Sequence, residues 1–382
     1  MTTAERRNAP ITSFTPPDRI LMGPGPSQVH PRVTAASARP TIGHLDPEFV
    51  RMMDELKVLL RQAFRTKNDV TFPLPGPGSL GMEACFVNLV EPGDTVVVCR
   101  NGAFGGRMKE NVERAGGKAV LVDDDWGKPV DVAKVEAALK SAGTVKALAF
   151  VHAETSTGAL SDAAALCALA KKYGALSIVD AVTSLGGVPV EVDAWGADAV
   201  YSGTQKCLSC PPGLSPVTFS EAALAAVAKR KTPVQSWLLD LNLILSYWRG
   251  TGGARSYHHT APVNALYSLH ESLVMLFEEG LENSWARHRR LHDKLVVGLK
   301  GIGLELLVDP AHRLPQLNTV KVPAGVDEAK VRRLLLDRYG IEIGAGLGAL
   351  AGKVWRIGLM GQSCSERHVT LCVTALGEAI KS

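Results

Sequence analysis

Between Thr95 and Phe219 short apolar runs alternate with longer amphipathic ones, and no other feature limits the fold so strongly. Thr95–Cys99, Ala119–Val122, Lys146–Val151, Ser177–Val179, Ala197–Tyr201 and Ser215–Phe219 read as buried strands. Helices are expected at Arg107–Ala115, at Val132–Ser141 behind the cap Asp131, and at Asp162–Tyr173 closed by Gly174. Strands separated by helices in this way build a mainly parallel sheet covered on both faces, an α/β architecture. Ligands of such sheets sit beyond the carboxyl ends of the strands. Phe104, Thr155, Asp180 and Lys206 all fall just after expected strand ends.

On the N-terminal side, Leu21–His30 (LMGPGPSQVH) is a glycine–proline turn, either an ordinary loop or a backbone that approaches a ligand closely. A helix near Asp46–Thr66, a strand at Asp69–Leu74 and a helix at Met82–Val90 follow, with Lys231–Ser256 less regular. A long helix spans Val263–Glu279, and beyond Gly280 the pattern changes. Helices at Asn283–Lys300, Asp327–Tyr339 and Glu366–Ile380, with strands near Leu304–Val308, Thr319–Val322 and Val354–Gly358, suggest a smaller α+β domain. A chain of 382 residues outgrows a single hydrophobic core. The expected division is an N-terminal arm (1–20), a large domain (21–280) and a small C-terminal domain (281–382).

With 46% hydrophobic and 21% charged residues the composition is that of a soluble globular chain. A formal net charge of +4 speaks against nucleic acid as the main partner. Seven irregularly spaced cysteines form no disulfide framework and fit a reducing compartment. The opening MTTAERRNAPITSFTPPDR lacks the apolar stretch of a secretory signal and reads as a loose arm. No apolar run approaches the roughly 20 residues that span a bilayer, and the closing AIKS is not a peroxisomal address. The expectation is a cytoplasmic protein with no membrane or nucleic-acid partner.

Asp180 ends one apolar strand, and the turn after the next strand delivers Lys206. Most lysines are solvated surface charges, but Lys206 runs into Cys207-Leu208-Ser209-Cys210-Pro211-Pro212, a poor surface context. A lysine held there has its pKa lowered, as Schiff-base chemistry requires. Asp180 can serve as a turn former, yet its place at a strand end suits an acid that keeps a pyridine nitrogen protonated. A cofactor with an aldehyde and a pyridine nitrogen uses both residues, so pyridoxal 5'-phosphate on Lys206 is expected. Arg356, between Trp355 and Ile357, is costly to bury unpaired, and a substrate carboxylate would satisfy it. Gly76–Gly81 spells G-x-G-x-x-G, but prolines sit in and beside it and no clear βαβ unit with a ribose-binding acid follows. A helix N-terminus with free N–H groups still suits a phosphate there. Cys207 and Cys210 lack a thioredoxin-like setting or second ligand pair, and His258-His259 lack a spaced partner, so no metal is expected.

The runs DAVTSLGGVPVEVDAWGADAVYSGTQKCLSCPPG, GPGPS, NGAFGGR, HAETSTG, YHHTAPV, GLENSW and KVWRIGLMG resemble the class V aminotransferases of fold type I. More narrowly they resemble the alanine–glyoxylate and serine–pyruvate aminotransferase group, from about Leu21 to the C-terminus. That resemblance implies a large domain with a mainly parallel seven-stranded sheet and a smaller C-terminal α+β domain. It makes Lys206 the Schiff-base lysine and Asp180 the partner of the pyridine nitrogen. Phe104 takes the place of the aromatic ring stacked on the pyridine, and Thr155 that of a hydroxyl near the ring oxygen. Gly78, Ser79 and Gln205 correspond to phosphate ligands. Tyr257 and Thr260 correspond to phosphate contacts made from a neighbouring subunit, which implies a homodimer with shared sites. Arg356 matches the substrate-carboxylate arginine, with Gly23, Gly25 and Pro26 in the same pocket. Pro77 departs from the pattern, since relatives often carry a hydroxyl residue there and proline has no N–H to give.

The implied reaction is a ping-pong transamination from alanine, with serine as another donor, to glyoxylate or another small 2-oxo acid. An (S)-ureidoglycine–glyoxylate aminotransferase belongs to the same resembling group, and His44 and Asn264 lie where they could add polar contacts to such a donor. Pyridoxamine–pyruvate exchange is a more distant relative. Two readings from other classes remain. A nicotinamide-dependent oxidoreductase built on Gly76–Gly81 predicts no visible chromophore, and a silent cofactor-binding protein predicts no keto acid from any amino acid.

Overall fold

The computed structural model describes residues 12–249 and 255–382. Its centre is a seven-stranded sheet whose strands in chain order are β1 (Val70–Leu74), β2 (Thr95–Arg100), β3 (Lys118–Asp123), β4 (Ala147–Val151), β5 (Leu176–Asp180), β6 (Ala199–Tyr201) and β7 (Ser215–Phe219). Across the sheet the order is β1-β7-β6-β5-β4-β2-β3. β7 runs against both neighbours, β1 and β6, and the other pairings are parallel. The strands β1, β4 and β7 are buried along their whole length, as apolar runs covered on both faces must be. After β3 the chain returns to the other side of β2, and such a reversal opens a crevice at the carboxyl ends.

Among the helices packed on this body are α1 (Pro47–Phe64), α2 (Gly78–Leu89), α3 (Ala103–Arg114), α4 (Val132–Ser141) and α5 (Ala163–Lys172). Asp46, Asp131 and Asp162 cap α1, α4 and α5 by accepting from backbone N–H groups of the first turn. Both α2 and α3 begin four residues before the positions expected from sequence, because their glycines lie inside the first helical turns instead of in loops. A helix at Leu241–Trp248, capped by Asp240, occupies part of the stretch expected to be irregular. The N-terminal arm falls largely on residues 1–11, outside the described residues; 12–18 are exposed and without regular structure.

The helices α6 (Val263–Glu279) and α7 (Leu281–Gly301) meet at Gly280, whose φ of +88° makes the corner. Beyond it lie β8 (Leu317–Lys321), α8 (Glu328–Tyr339), β9 (Gly344–Ala345), β10 (Val354–Gly358) and α9 (Glu366–Ala379). The three strands form an antiparallel sheet in the order β8-β10-β9. Leu304–Val308, expected to be a strand, makes only the single bridge Leu306–Val320. A hydrophobic core built on Leu295, Leu335, Trp355 and Leu376 is separate from the core of the large sheet. Met22 also belongs to this second core. Ile20–Leu21 pairs with Ile341–Glu342, and Gly358 donates its N–H to the carbonyl of Met22 at 2.7 Å. The start of the described chain is therefore stitched to its C-terminal body.

Candidate active site

The parallel strands β5 and β6 lie side by side, so the residues that follow them meet at one end of the sheet. Asp180, last in β5, is 3% exposed. Its Oδ1 accepts from the N–H of Val182 and its Oδ2 from the hydroxyl of Tyr201, both at 2.8 Å. Burial pushes the Asp180 carboxyl up to about 7 against the pull of those two donors. Lys206 leaves the turn after β6, and its Nζ donates to the carbonyl of Pro24. Burial, with the Arg356 charge second, brings the Lys206 ammonium down to about 8. Both residues line a cleft of about 170 Å³ together with Gly78, Ser79, Phe104 and Gln205.

α2 points its N-terminus into this cleft. Pro77 is its N-cap, outside the helix, so the missing N–H removes nothing from the set offered by Gly78 and Ser79. A side chain on Gly78 would press on Val182, which explains the glycine at this close approach. The Gln205 amide faces the same space with a buried Oε1 that has no partner among the described residues. The G-x-G-x-x-G run gains no dinucleotide context: it follows β1, whose one sheet neighbour, β7, is antiparallel. The nicotinamide reading is thereby set aside.

The substrate side is built by the second body. Arg356, in β10, is 7% exposed; Nε donates to the Ala345 carbonyl at 2.7 Å and Nη1 to the Thr155 carbonyl at 3.3 Å. Among the described residues no carboxylate forms a salt bridge with Arg356, and burial lowers it to about 10. The Gly23–Pro26 turn joins the two sides. A Cβ on Gly25, at φ +99°, would lie 2.6 Å from Lys206 Nζ, while Gly358 and Gly344, flanking Arg356 in space, have no room for a side chain beside Gly23 and Pro24.

Thr155 does not line the cleft; its hydroxyl pairs with that of Thr183 at 2.7 Å. Tyr257 and Thr260 are exposed and also lie outside the cleft lining. Asn264 spends its amide on the Ser37 and Arg39 carbonyls and on Thr41, so it is not left free for a donor, and His44 Nδ1 pairs with Tyr247. Three contributors were not singled out from sequence: Tyr201 on Asp180, Arg107 in the cleft wall, and the backbone carbonyl of Pro24. Their partners are distant in the chain, so no local pattern marks them. All seven cysteines are free and buried, and no group of three or more metal-ligating residues occurs among the described residues.

The residues present fit the expected cofactor. An acid raised in pKa by burial suits a protonated pyridine, a half-buried amine suits an aldehyde, and a helix N-terminus beside the Gln205 side-chain amide suits a phosphate. Those are the marks of a pyridoxal-phosphate enzyme. Comparison narrows the class. Residues 28–366 match the family described as aminotransferase class-V. An alanine–glyoxylate aminotransferase of Callithrix jacchus is 42% identical over 366 residues, which cover 96% of this chain and 88% of the relative. The crystal structure of an alanine–glyoxylate aminotransferase from Nostoc sp. superposes with a TM-score of 0.95 at 43% identity, covering 99% of this chain and all of the other. A ureidoglycine–glyoxylate aminotransferase from Bacillus subtilis gives 0.93 at 37% identity, covering 97% and 95%. The chain belongs to the class-V aminotransferase family, with the type I fold and pyridoxal 5'-phosphate as cofactor.

Proposed function

We propose that the protein transfers an amino group from alanine, or serine as a second donor, to glyoxylate or another small 2-oxo acid. The observation that carries this reading is Arg356. It is a single buried guanidinium without an acidic partner among the described residues, beside a small cleft, and so suited to a substrate with one carboxylate. Similarity to the Callithrix and Nostoc enzymes supports the same pair. The Bacillus relative keeps ureidoglycine as an alternative donor, but the engaged amide of Asn264 gives it no added support.

The bound cofactor supplies an aldehyde that condenses with amines and a ring that accepts the electron pair left at the substrate Cα. Within that frame Lys206 would hold the group through its amine and, once the substrate amine has taken its place there, would as a free amine take the proton from the substrate Cα. Asp180 holds a proton at the pyridine nitrogen, and Tyr201 and the Val182 N–H fix the carboxylate that does so. Arg356 binds and orients the substrate carboxylate. Gly78, Ser79 and Gln205 would hold the phosphate, Phe104 would pack on the ring side, and the Gly23–Pro26 turn would close the substrate side.

Two further points belong to the same proposal. The protein acts as a homodimer in which Tyr257 and Thr260 reach the phosphate of the neighbouring site; their exposure in a single chain supports this. It works in the cytoplasm, a location supported by seven reduced cysteines. No helix among the described residues is long and apolar enough to cross a membrane. The division into arm, large and small domains is kept with one amendment: Ile20–Met22 joins the small domain.

A donor panel tests the substrates. Alanine, serine, ureidoglycine and aspartate are each offered with glyoxylate and with pyruvate. Alanine–glyoxylate turnover above all other pairs is expected, and a clear preference for ureidoglycine or a dicarboxylate would overturn the assignment.

A further inference from the structure

One buried acid beside the cleft has no part in the chemistry above. Glu154 is fully buried, three residues beyond β4. Its partners are N–H and O–H donors: Oε1 accepts from the N–H and hydroxyl of Ser156 at 3.0 and 2.6 Å, and Oε2 from the N–H of Phe104 at 3.2 Å. The Ser156 hydroxyl oxygen also accepts from the N–H of Ala103 at 2.9 Å.

Ala103 and Phe104 are the first two residues of α3, and its N-cap Gly102 has no side chain to offer. The helix is therefore capped from a segment 50 residues away in sequence. A carboxylate there meets both the unpaired N–H groups and the positive end of the helix dipole. Gly102 is the residue that permits it, because any side chain at that position would collide with Glu154 and Ser156. Burial raises the Glu154 pKa, while Ser156 and the N–H groups of Phe104 and Gly105 oppose the shift.

What this cap holds in place is functional on two sides. Phe104 is fixed through its backbone by Glu154, and its ring carries the Arg107 guanidinium 4.7 Å from the centroid. The residue between Glu154 and Ser156 is Thr155, whose carbonyl receives Arg356. One tripeptide thus sets both the aromatic wall of the cofactor cleft and the anchor of the substrate-carboxylate arginine.

We propose that Glu154 is a positioning residue that couples the two halves of the site, holding Phe104 through the α3 cap and Arg356 through Thr155. The inference rests on the cofactor reading given above. It also says that Glu154 touches neither cofactor nor substrate, so its removal is felt through the residues it holds and through the loss of its charge near Arg356 and Asp180.

The test is a mutant cycle read on cofactor binding by the apo-protein, followed by visible absorbance and by tryptophan fluorescence quenching. Glu154→Gln keeps the shape but turns an NH2 toward a backbone donor. It is expected to weaken pyridoxal-phosphate binding about tenfold, and to raise KM for alanine several-fold with a smaller change in kcat. Ser156→Ala is expected to show the same pattern at about threefold. Adding Glu154→Gln to Phe104→Leu is expected to weaken cofactor binding by less than about twofold beyond Phe104→Leu alone, since both act on one ring. Wild-type affinity and KM in Glu154→Gln, or full additivity in the double variant, would overturn the proposal. If Glu154→Gln does not fold, Ser156→Ala and its cycle with Phe104→Leu decide by the same criteria. A wild-type apo-protein that takes up no pyridoxal phosphate would remove the cofactor reading itself, and this inference with it.

Discussion

The floor of the cleft and the segment around Tyr257 meet the solvent in opposite ways. At the floor, Asp180 is answered by Val182 and Tyr201, Lys206 by Pro24, and the Ser202 hydroxyl by the Ala181 carbonyl, all within the chain, and the Gln205 Oε1 is left open toward the cleft. Around Tyr257 the chain leaves large rings in water. Tyr257 is 64% and Trp237 61% exposed, and the Trp237 ring stacks at 4.4 Å on His258, whose buried Nε2 has no partner among the described residues. The first region is finished by one chain. Clustered exposed aromatics with an unsatisfied buried nitrogen mark a surface suited to a partner. The proposed second copy would complete the other region.

Removing the floor's lysine should cost most. Lys206→Ala is expected to lose the visible band of the covalently held cofactor and turnover by on the order of 10⁴-fold or more. An unchanged spectrum with unchanged rates would break the assignment of the floor. Next comes the substrate side. Arg356→Gln should lower kcat/KM by about 10²–10³-fold, since losing one partner of a buried charge pair costs about 2–5 kcal/mol. Cofactor affinity measured in the same variant should stay within a few-fold, and a comparable loss there would move Arg356 out of the substrate pocket.

The outer segment is probed by mixing. Tyr257→Ala should weaken cofactor binding about tenfold. At a cofactor concentration too low to load the Tyr257→Ala homodimer, hybrids formed by unfolding and refolding Tyr257→Ala and Lys206→Ala subunits together carry one intact site, and up to about a quarter of wild-type activity should return. No recovery would mean that each site is complete within one chain, and the contrast drawn above would fail.

The smallest effect is a pH dependence confined to the floor. The Asp180 carboxyl is raised to about 7 by burial, so in the apo-protein it stays protonated over a range where the unfolded chain has already ionised. Stability from this group is full below about pH 4 and is lost as pH rises toward 7. Apo Asp180→Asn lacks that loss. Its melting temperature relative to wild type should rise by a few degrees, on the order of 5 °C, between pH 4 and 7. Parallel curves would show that Asp180 is not held as described.

Much of the floor is legible in the sequence because it obeys local rules. Ser215–Phe219, Val132–Ser141 and Val263–Glu279 are found at the expected limits, each an apolar pattern with a clear stop. Lys206 and Asp180 stand out because a charge follows an apolar strand. The early starts of α2 and α3 are not legible, because glycines disfavour helix locally and the stabilising cap of α3 comes from Glu154 and Ser156. Leu304–Val308 looks like a strand because its residues alternate, yet β8 supplies pairing at one bridge only. Tyr201 reads in the sequence only as a strand end, since its bond to Asp180 spans 21 residues. Patterns within about ten residues were readable; bonds across the fold were not.

The tether at Met22 carries a mechanical consequence. Only Gly23 separates Met22, whose carbonyl ties this chain segment to Gly358, from Pro24, on whose carbonyl the Lys206 amine rests. A tilt of the C-terminal body therefore cannot leave the reactive nitrogen's seat where it was. Swinging Arg356 toward or away from a substrate and loosening or tightening the hold on that amine are, in this architecture, one and the same displacement.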